Sequence, residues 1–157
     1  MKAVLGSLGA ALARGPVMAD GGLSTVLAEL GAGSLGAGSA LWTGDVLATR
    51  PDIVEDAHVA MFAAGARVVL AAGYQVSRMS AAASGRRPEE ADALLVEATR
   101  RAVAARDRSP AGRSGPGWVA ASIGPYGAVL GDGSEYRGNY RIGRRELTAF
   151  HRERLEV

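Results

Sequence analysis

Three short segments place chemically capable residues beside backbone that a ligand can approach. They are Val17-Met-Ala-Asp-Gly-Gly22, Val68-Val-Leu-Ala-Ala-Gly-Tyr-Gln75 and Trp118-Val-Ala-Ala-Ser-Ile-Gly-Pro-Tyr-Gly127. Each starts as a short apolar run and then breaks into glycine with a polar or aromatic neighbour. The candidate functional residues therefore gather at Asp20-Gly-Gly22, Gly73-Tyr-Gln75 and Ser122 to Gly127. Five of the eight aromatic residues (Trp42, Tyr74, Tyr126, Tyr136 and Tyr140) fall in the loops or segment ends on the same presumed face. Aromatic faces near a carboxylate such as Asp20 suit a small cationic or zwitterionic ligand, through cation–π attraction and a charge-assisted hydrogen bond. Tyr and Trp also decorate loops because they are amphipathic, so the pattern by itself leaves both readings open.

The elements that must position these residues follow from the same pattern. An apolar run without polar alternation suits a strand covered on both faces, as in a parallel sheet flanked by helices. In such folds the carboxyl ends of the strands are where sites are built. Strands are expected over Val17–Ala19, Arg67–Ala72 and Trp118–Ile123. Ser24 or Thr25 is expected to cap a short helix through Leu30, and Thr43 another through Ala48. Pro51 opens a clear helix, with Ile53, Ala57, Met61 and Ala64 as its buried stripe and Gly65 as its C-cap. Pro88-Glu-Glu90 opens a long helix to about Arg108, with Leu94, Leu95, Ala98, Ala102 and Ala105 on its apolar face. A Pro/Gly linker spans Ser109 to Gly117, and a polar Gly/Tyr loop spans Gly124 to Gly143. A last helix starts near Arg144, with Leu147, Phe150, His151 and Leu155 at helical spacing. The order is β-α-α-β-α-β-α with right-handed crossovers. Periodicity alone leaves a doubly wound sheet and part of a (β/α) barrel equally open.

Composition excludes several classes. The 157 residues are 48% hydrophobic and fit one domain. The formal net charge is +2, and the basic residues are spread along the chain, so a nucleic-acid footprint is not expected. The densest basic stretch, Arg137 to Arg154, also carries Glu146 and Glu153 and reads as a solvated helix face. No window is long or apolar enough to span a membrane. The start imitates a signal peptide, but Gly6, Ser7 and Gly9 dilute its apolar run. Residues 1–16 are read as a lead-in helix, and the protein as cytoplasmic. There is no Cys, which excludes disulfides, thiolate metal ligands and a Cys nucleophile in this chain. His58 lies off the expected apolar stripe and His151 beside Phe150, and both read as structural. No Ser-His-Asp or paired-carboxylate arrangement follows from spacing. Gly31-Ala-Gly-Ser-Leu-Gly36 matches a dinucleotide fingerprint by letter, but it follows a helix rather than a strand and reads as a glycine loop.

The motifs resemble the homocysteine S-methyltransferase family. The resemblance is carried by Asp20-Gly-Gly-Leu-Ser-Thr25, Leu41-Trp42 with Pro51-Asp-Ile, Phe62-Ala-Ala-Gly-Ala66 and Gly73-Tyr-Gln75. Most specific are Ser122-Ile-Gly-Pro-Tyr-Gly127 and Asp132-Gly-Ser-Glu-Tyr-Arg-Gly-Asn-Tyr140, which resemble the branch using S-methylmethionine or S-adenosylmethionine. The departures are the glycine-rich loop over 31–40 and Ala71-Ala72, where family members often carry a Thr. The resemblance implies a (β/α)8 TIM barrel that moves a methyl group from a sulfonium donor to homocysteine, with zinc held by Cys on later strands. This chain then corresponds to the first three βα units, residues 17–157, ending in the third helix. It implies that Asp20 and Gly21 meet the amino-acid end of homocysteine and that Trp42, Thr43, Tyr74 and Gln75 line the pocket. Ser122, Gly124 and Tyr126 are expected at its floor and Tyr136 in a covering loop. No catalytic or metal residue is expected in this chain, and the open barrel edge is expected to favour self-association. Two further readings stay open: a compact α/β domain binding a small molecule or phosphate, and an inactive remnant of the family.

Overall fold

The computed structural model describes residues 7–33, 40–109 and 117–157. Proline and periodicity dictate the two principal helices. In Pro51–Ala63 (α4) and Pro88–Arg108 (α6), Pro occupies the first turn, where no N–H is needed. Among the described residues the other helices are Leu8–Leu12 (α1), Leu23–Leu27 (α2, continued by a π-helical turn over Ala28–Ala32), Thr43–Thr49 (α3), Arg78–Ala83 (α5), Tyr126–Leu130 (α7), Ser134–Arg137 (α8) and Arg144–Leu155 (α9). The strands among the described residues are Val68–Leu70 (β1) and Trp118–Ala120 (β2).

The two strands pair in parallel, Val68 opposite Trp118 and Leu70 opposite Ala120. On the other edge of β1, Ala19 forms a parallel bridge with Val68. Asp20 N–H donates to the Val68 carbonyl at 2.9 Å, and Arg67 N–H to the Met18 carbonyl at 2.8 Å. Three parallel segments thus lie side by side in chain order with β1 in the middle. The core sits between this sheet and the α4–α6 pair, around Val54, Phe62, Val69, Ala98 and Ala102. Small alanines on α6 let it approach α4 closely, and charge braces the contact. Glu55 of α4 accepts from Arg101 at 3.1 Å and also from Arg108. The Arg108 bond comes first among the causes that hold the Glu55 carboxyl below its usual range.

Several expectations need correction. The first strand is a single bridge, and the other two span three residues each. Ser24 and Thr25 lie inside α2, which Gly22 opens from a left-handed conformation without a side-chain cap. Thr43 is the first residue of α3, and Trp42 takes the cap position. The buried stripe of α4 is broader than expected: Ile53 and Ala57 are buried and Met61 half-buried, as the spacing predicts, and the face extends one position further. Val54, His58 and Phe62 are buried, whereas Ala64 is exposed. His58, expected off the stripe, is fully buried. On α9, Phe150 and Arg154 are buried and Leu155 is exposed. The expected loop over 124–143 contains α7 and α8, ended by left-handed Gly131 and Gly138. Most of the glycine loop over 31–40 and of the linker over 109–117 lies outside the described residues.

Candidate functional site

The strand ends open on a pocket of about 390 Å³. Its walls come from five separated parts of the chain. The bridge segment contributes Asp20 and Gly21, and the start of α3 contributes Trp42 and Thr43. Tyr74 and Gln75 arrive after β1, Ser122 after β2, and Glu135 and Tyr136 from α8. Eight of the ten residues singled out from the sequence therefore meet in one cavity. Gly124 and Tyr126 do not line it. Tyr126 packs edge-on against Phe150, ring centroids 5.2 Å apart, and is tilted against Tyr140 at 5.9 Å. Gly124 stands behind the wall. Its N–H donates to the Tyr74 carbonyl at 3.0 Å, and a Cβ there would collide with that carbonyl and press on the Tyr74 ring.

Asp20 is anchored through its side chain. Both carboxylate oxygens accept from Leu70 N–H, at 3.1 and 3.2 Å. Burial pushes its pKa up, and the Leu70 hydrogen bond pulls the other way. A partly desolvated carboxylate facing a cavity gains most when a cation takes the place of the lost water. Trp42 has φ 50° and ψ −115°, outside the ordinary wells for a non-glycine residue. Such strain persists only where the surroundings over-determine it, and it clusters at ligand sites. Gln75 is held by donating Nε2 to the Ala128 carbonyl at 3.0 Å. The Tyr74 hydroxyl is pushed up by burial and then by the charge of Glu135.

Glu135 is the residue that sequence spacing missed. Its Oε2 is buried and lacks a hydrogen-bond partner. The turn that delivers it is tightly specified. Ser134 N–H donates to Asp132 Oδ1 at 2.8 Å, and Arg137 Nη1 donates to the Asp132 carbonyl at 2.9 Å. Gly127 lets this turn sit down on α7, since a Cβ there would lie 2.5 Å from both Glu135 N and Tyr140 Cε1. The nearest available signal was Asp132-Gly-Ser-Glu135, a turn motif with an acidic residue at its far end.

The pocket thus holds two carboxylates, three aromatic rings and several hydroxyls, with no Lys or Arg in its lining. That chemistry takes a small cation or zwitterion. A thiolate-bound zinc does not fit these residues. The chain has no Cys, and the described residues contain no cluster of three or more His, Cys, Asp or Glu at metal spacing.

Fold and pocket define an α/β protein with an acidic, aromatic-walled pocket at its strand ends. The homocysteine S-methyltransferase family model matches residues 17–157. The chain is 38% identical over 147 residues to homocysteine S-methyltransferase YbgG of Bacillus subtilis, covering 90% of this chain and 45% of that protein. It is 40% identical over 156 residues to homocysteine S-methyltransferase 1 of Zea mays, covering 94% of this chain and 47% of that protein. The crystal structure of the homocysteine methyltransferase MmuM from Escherichia coli, metallated form, superposes with a TM-score of 0.84 at 35% identity. That superposition covers 94% of this chain and 51% of MmuM. The chain belongs to the homocysteine S-methyltransferase family, and it spans about half the length of the relatives it matches.

Proposed function

We propose that this chain is the acceptor-binding part of a homocysteine S-methyltransferase, built as the first three βα units of a (β/α)8 barrel. Residues 1–16 lead in, and residues 17–157 form the barrel portion. The chain-order adjacency of the three parallel segments supports the barrel, because a barrel adds each strand beside the last. The carrying observation is the pocket that unites Asp20 and Glu135 with the rings of Trp42, Tyr74 and Tyr136.

In this reading the ammonium of homocysteine meets Asp20 and Glu135, with Gly21 giving close backbone access. Trp42, Thr43, Tyr74 and Gln75 form the walls, Ser122 the floor and Tyr136 the cover. Gly124 and Tyr126 support the wall from behind. The sulfonium donor is S-methylmethionine or S-adenosylmethionine. The homocysteine sulfur attacks the donor methyl, a new S–CH3 bond forms, and the old bond breaks to leave a neutral thioether. A thiol is mostly protonated at neutral pH, and the thiolate is the nucleophile. Zinc supplies that thiolate when bound. Its ligands must come from outside these residues, so the chain alone binds the acceptor without turning over. A phosphate site is disfavoured, because two carboxylates face the cavity and no basic side chain does.

The test is an NMR titration of the chain with L-homocysteine under reducing conditions. Amide shifts should concentrate at Asp20, Gly21, Tyr74, Gln75, Ser122 and Glu135. Affinity should be millimolar, about −4 kcal/mol, and Asp20→Ala should weaken it by at least about ten-fold, the loss of one charge-assisted hydrogen bond. Saturable shifts away from this pocket, or an Asp20→Ala variant with unchanged affinity, would refute the assignment. Methyl transfer by the unaided chain would refute the division of labour.

A further inference from the structure

Arg154 lies in the last turn of α9, one turn after the buried Phe150 and on the same face, and is only 4% exposed. Its Nη1 donates to the Gly124 carbonyl at 2.7 Å. Its Nη2 donates to the carbonyls of Gly73 at 3.0 Å and Tyr74 at 2.8 Å. Its guanidinium lies 5.2 Å from the centre of the Phe150 ring. Among the described residues no carboxylate forms an ion pair with it. Burying an unpaired cation is costly, and burial pulls its pKa down. A guanidinium stays protonated even so, and its planar fork reaches several acceptors at once.

The three acceptors belong to the two loops that leave the sheet. The β1–β2 ladder ends where Ala71 N–H donates to the Ala120 carbonyl at 2.9 Å. Beyond that point, Gly124 N–H to the Tyr74 carbonyl is the backbone bond joining the loops. The same Tyr74 carbonyl also receives Arg154 Nη2, and the Gly124 carbonyl receives Nη1. Backbone and guanidinium thus close a ring that ties Tyr74 to Gly124. Tyr74 lines the pocket, as does Ser122 two residues before Gly124.

We propose that Arg154 is a positioning residue, a guanidinium clamp that locks the loops after β1 and β2 together and so sets the pocket wall carried by Tyr74 and Ser122. Only the identity of the ligand rests on the function proposed above; the clamp itself does not. Removing the fork leaves the buried Gly73 and Gly124 carbonyls and the part-buried Tyr74 carbonyl short of a charged donor, and frees the two loops to separate. A Lys at this position offers a compact ammonium in place of the fork, so it restores part of the tie.

The test compares the full 157-residue chain with its Arg154→Met and Arg154→Lys variants by hydrogen exchange, read at two amides. Gly124 N–H reports the clamp. Trp118 N–H, which donates to the Arg67 carbonyl at 2.8 Å at the far end of β2, reports the sheet. Arg154→Met should speed exchange at Gly124 by at least about thirty-fold while moving Trp118 by less than about three-fold, the loss of hydrogen bonds to a charged donor. Arg154→Lys should fall between the two proteins, and it decides the matter by itself if the Met variant does not fold. Equal acceleration at both amides would make Arg154 a general stabilising residue and overturn the proposal, as would unchanged exchange at Gly124. The homocysteine dissociation constant should rise in the same order, by about ten-fold for Met. If the unsubstituted chain binds no homocysteine, the functional reading fails, and the exchange ratio still decides the clamp.

Discussion

Acidification should destabilise this protein through one histidine before its carboxylates matter. His58 is fully buried on α4, and neither ring nitrogen has a hydrogen-bond partner. Burial lowers its pKa from 6.5 to about 4. The unfolded chain therefore binds a proton below about pH 6.5 that the folded chain refuses until about pH 4. Stability is full above the unfolded value and is lost as pH falls towards the folded one. The complete difference is worth about 3 kcal/mol at 1.36 kcal/mol per unit, and about 2 kcal/mol of it is lost between pH 7 and pH 5. For a chain of this size that lowers the melting temperature by about 4–8 °C. The measurement is urea unfolding followed by far-UV circular dichroism in half-unit steps across that range. His58→Leu removes the titrating group and its unpartnered nitrogens together. It should be within about 1 kcal/mol of the parent at pH 7 and flat to pH 5. A parent protein whose stability does not change between pH 7 and pH 5, or a His58→Leu variant that keeps the parent slope, would refute the reasoning.

Gly127→Ala should destabilise the fold by about 1–3 kcal/mol, because the added methyl meets Glu135 N and Tyr140 Cε1 at 2.5 Å. The same substitution should weaken homocysteine binding by displacing α8, and calorimetry that finds normal affinity with lowered stability would separate the two effects. Homocysteine affinity should fall on acidification with a midpoint above the ordinary aspartate value, since burial raises the Asp20 pKa and protonation removes the charge that holds the ammonium. An Asp20→Asn variant should lose that component, leaving Glu135 as the pocket's ionisable carboxylate; an identical profile in both proteins would contradict the assignment. Leu70, Val96, Leu155 and Val157 are exposed, between 39% and 69%, so the chain should self-associate with rising concentration. Sedimentation showing a monomer with a sharp cooperative melt would rule that out.

The long helices α4 and α6 were legible in the sequence because their signals are local. Pro at the first turn, acidic residues after it and apolar residues at helical spacing all act within a few positions, and both helices begin where Pro51 and Pro88 stand. The strand ends were legible for a related reason: an apolar run that breaks into Asp-Gly-Gly or Gly-Tyr-Gln has to leave the core there. Pattern alone did not determine how far each strand pairs, since pairing depends on a neighbour some fifty residues away. Helices α7 and α8 were invisible because one turn of helix has no periodicity to read and is held by tertiary contact.

The candidate site divides in the same way. Eight of the ten residues expected there line one pocket: Asp20, Gly21, Tyr74, Gln75 and Ser122 stand where apolar runs break, and the family resemblance added Trp42, Thr43 and Tyr136. His58, Glu135 and Arg154 did not, since a charged or polar residue on a helix reads as solvated whatever lies across from it. Composition and local spacing determined where the long helices form and which turns gather at the pocket. Only the tertiary structure decided which carboxylate joins Asp20, which histidine loses its water, and which arginine is buried against carbonyls some eighty residues away. The physical reason is that desolvation and charge pairing belong to the space around a side chain, and that space is filled by residues remote in sequence.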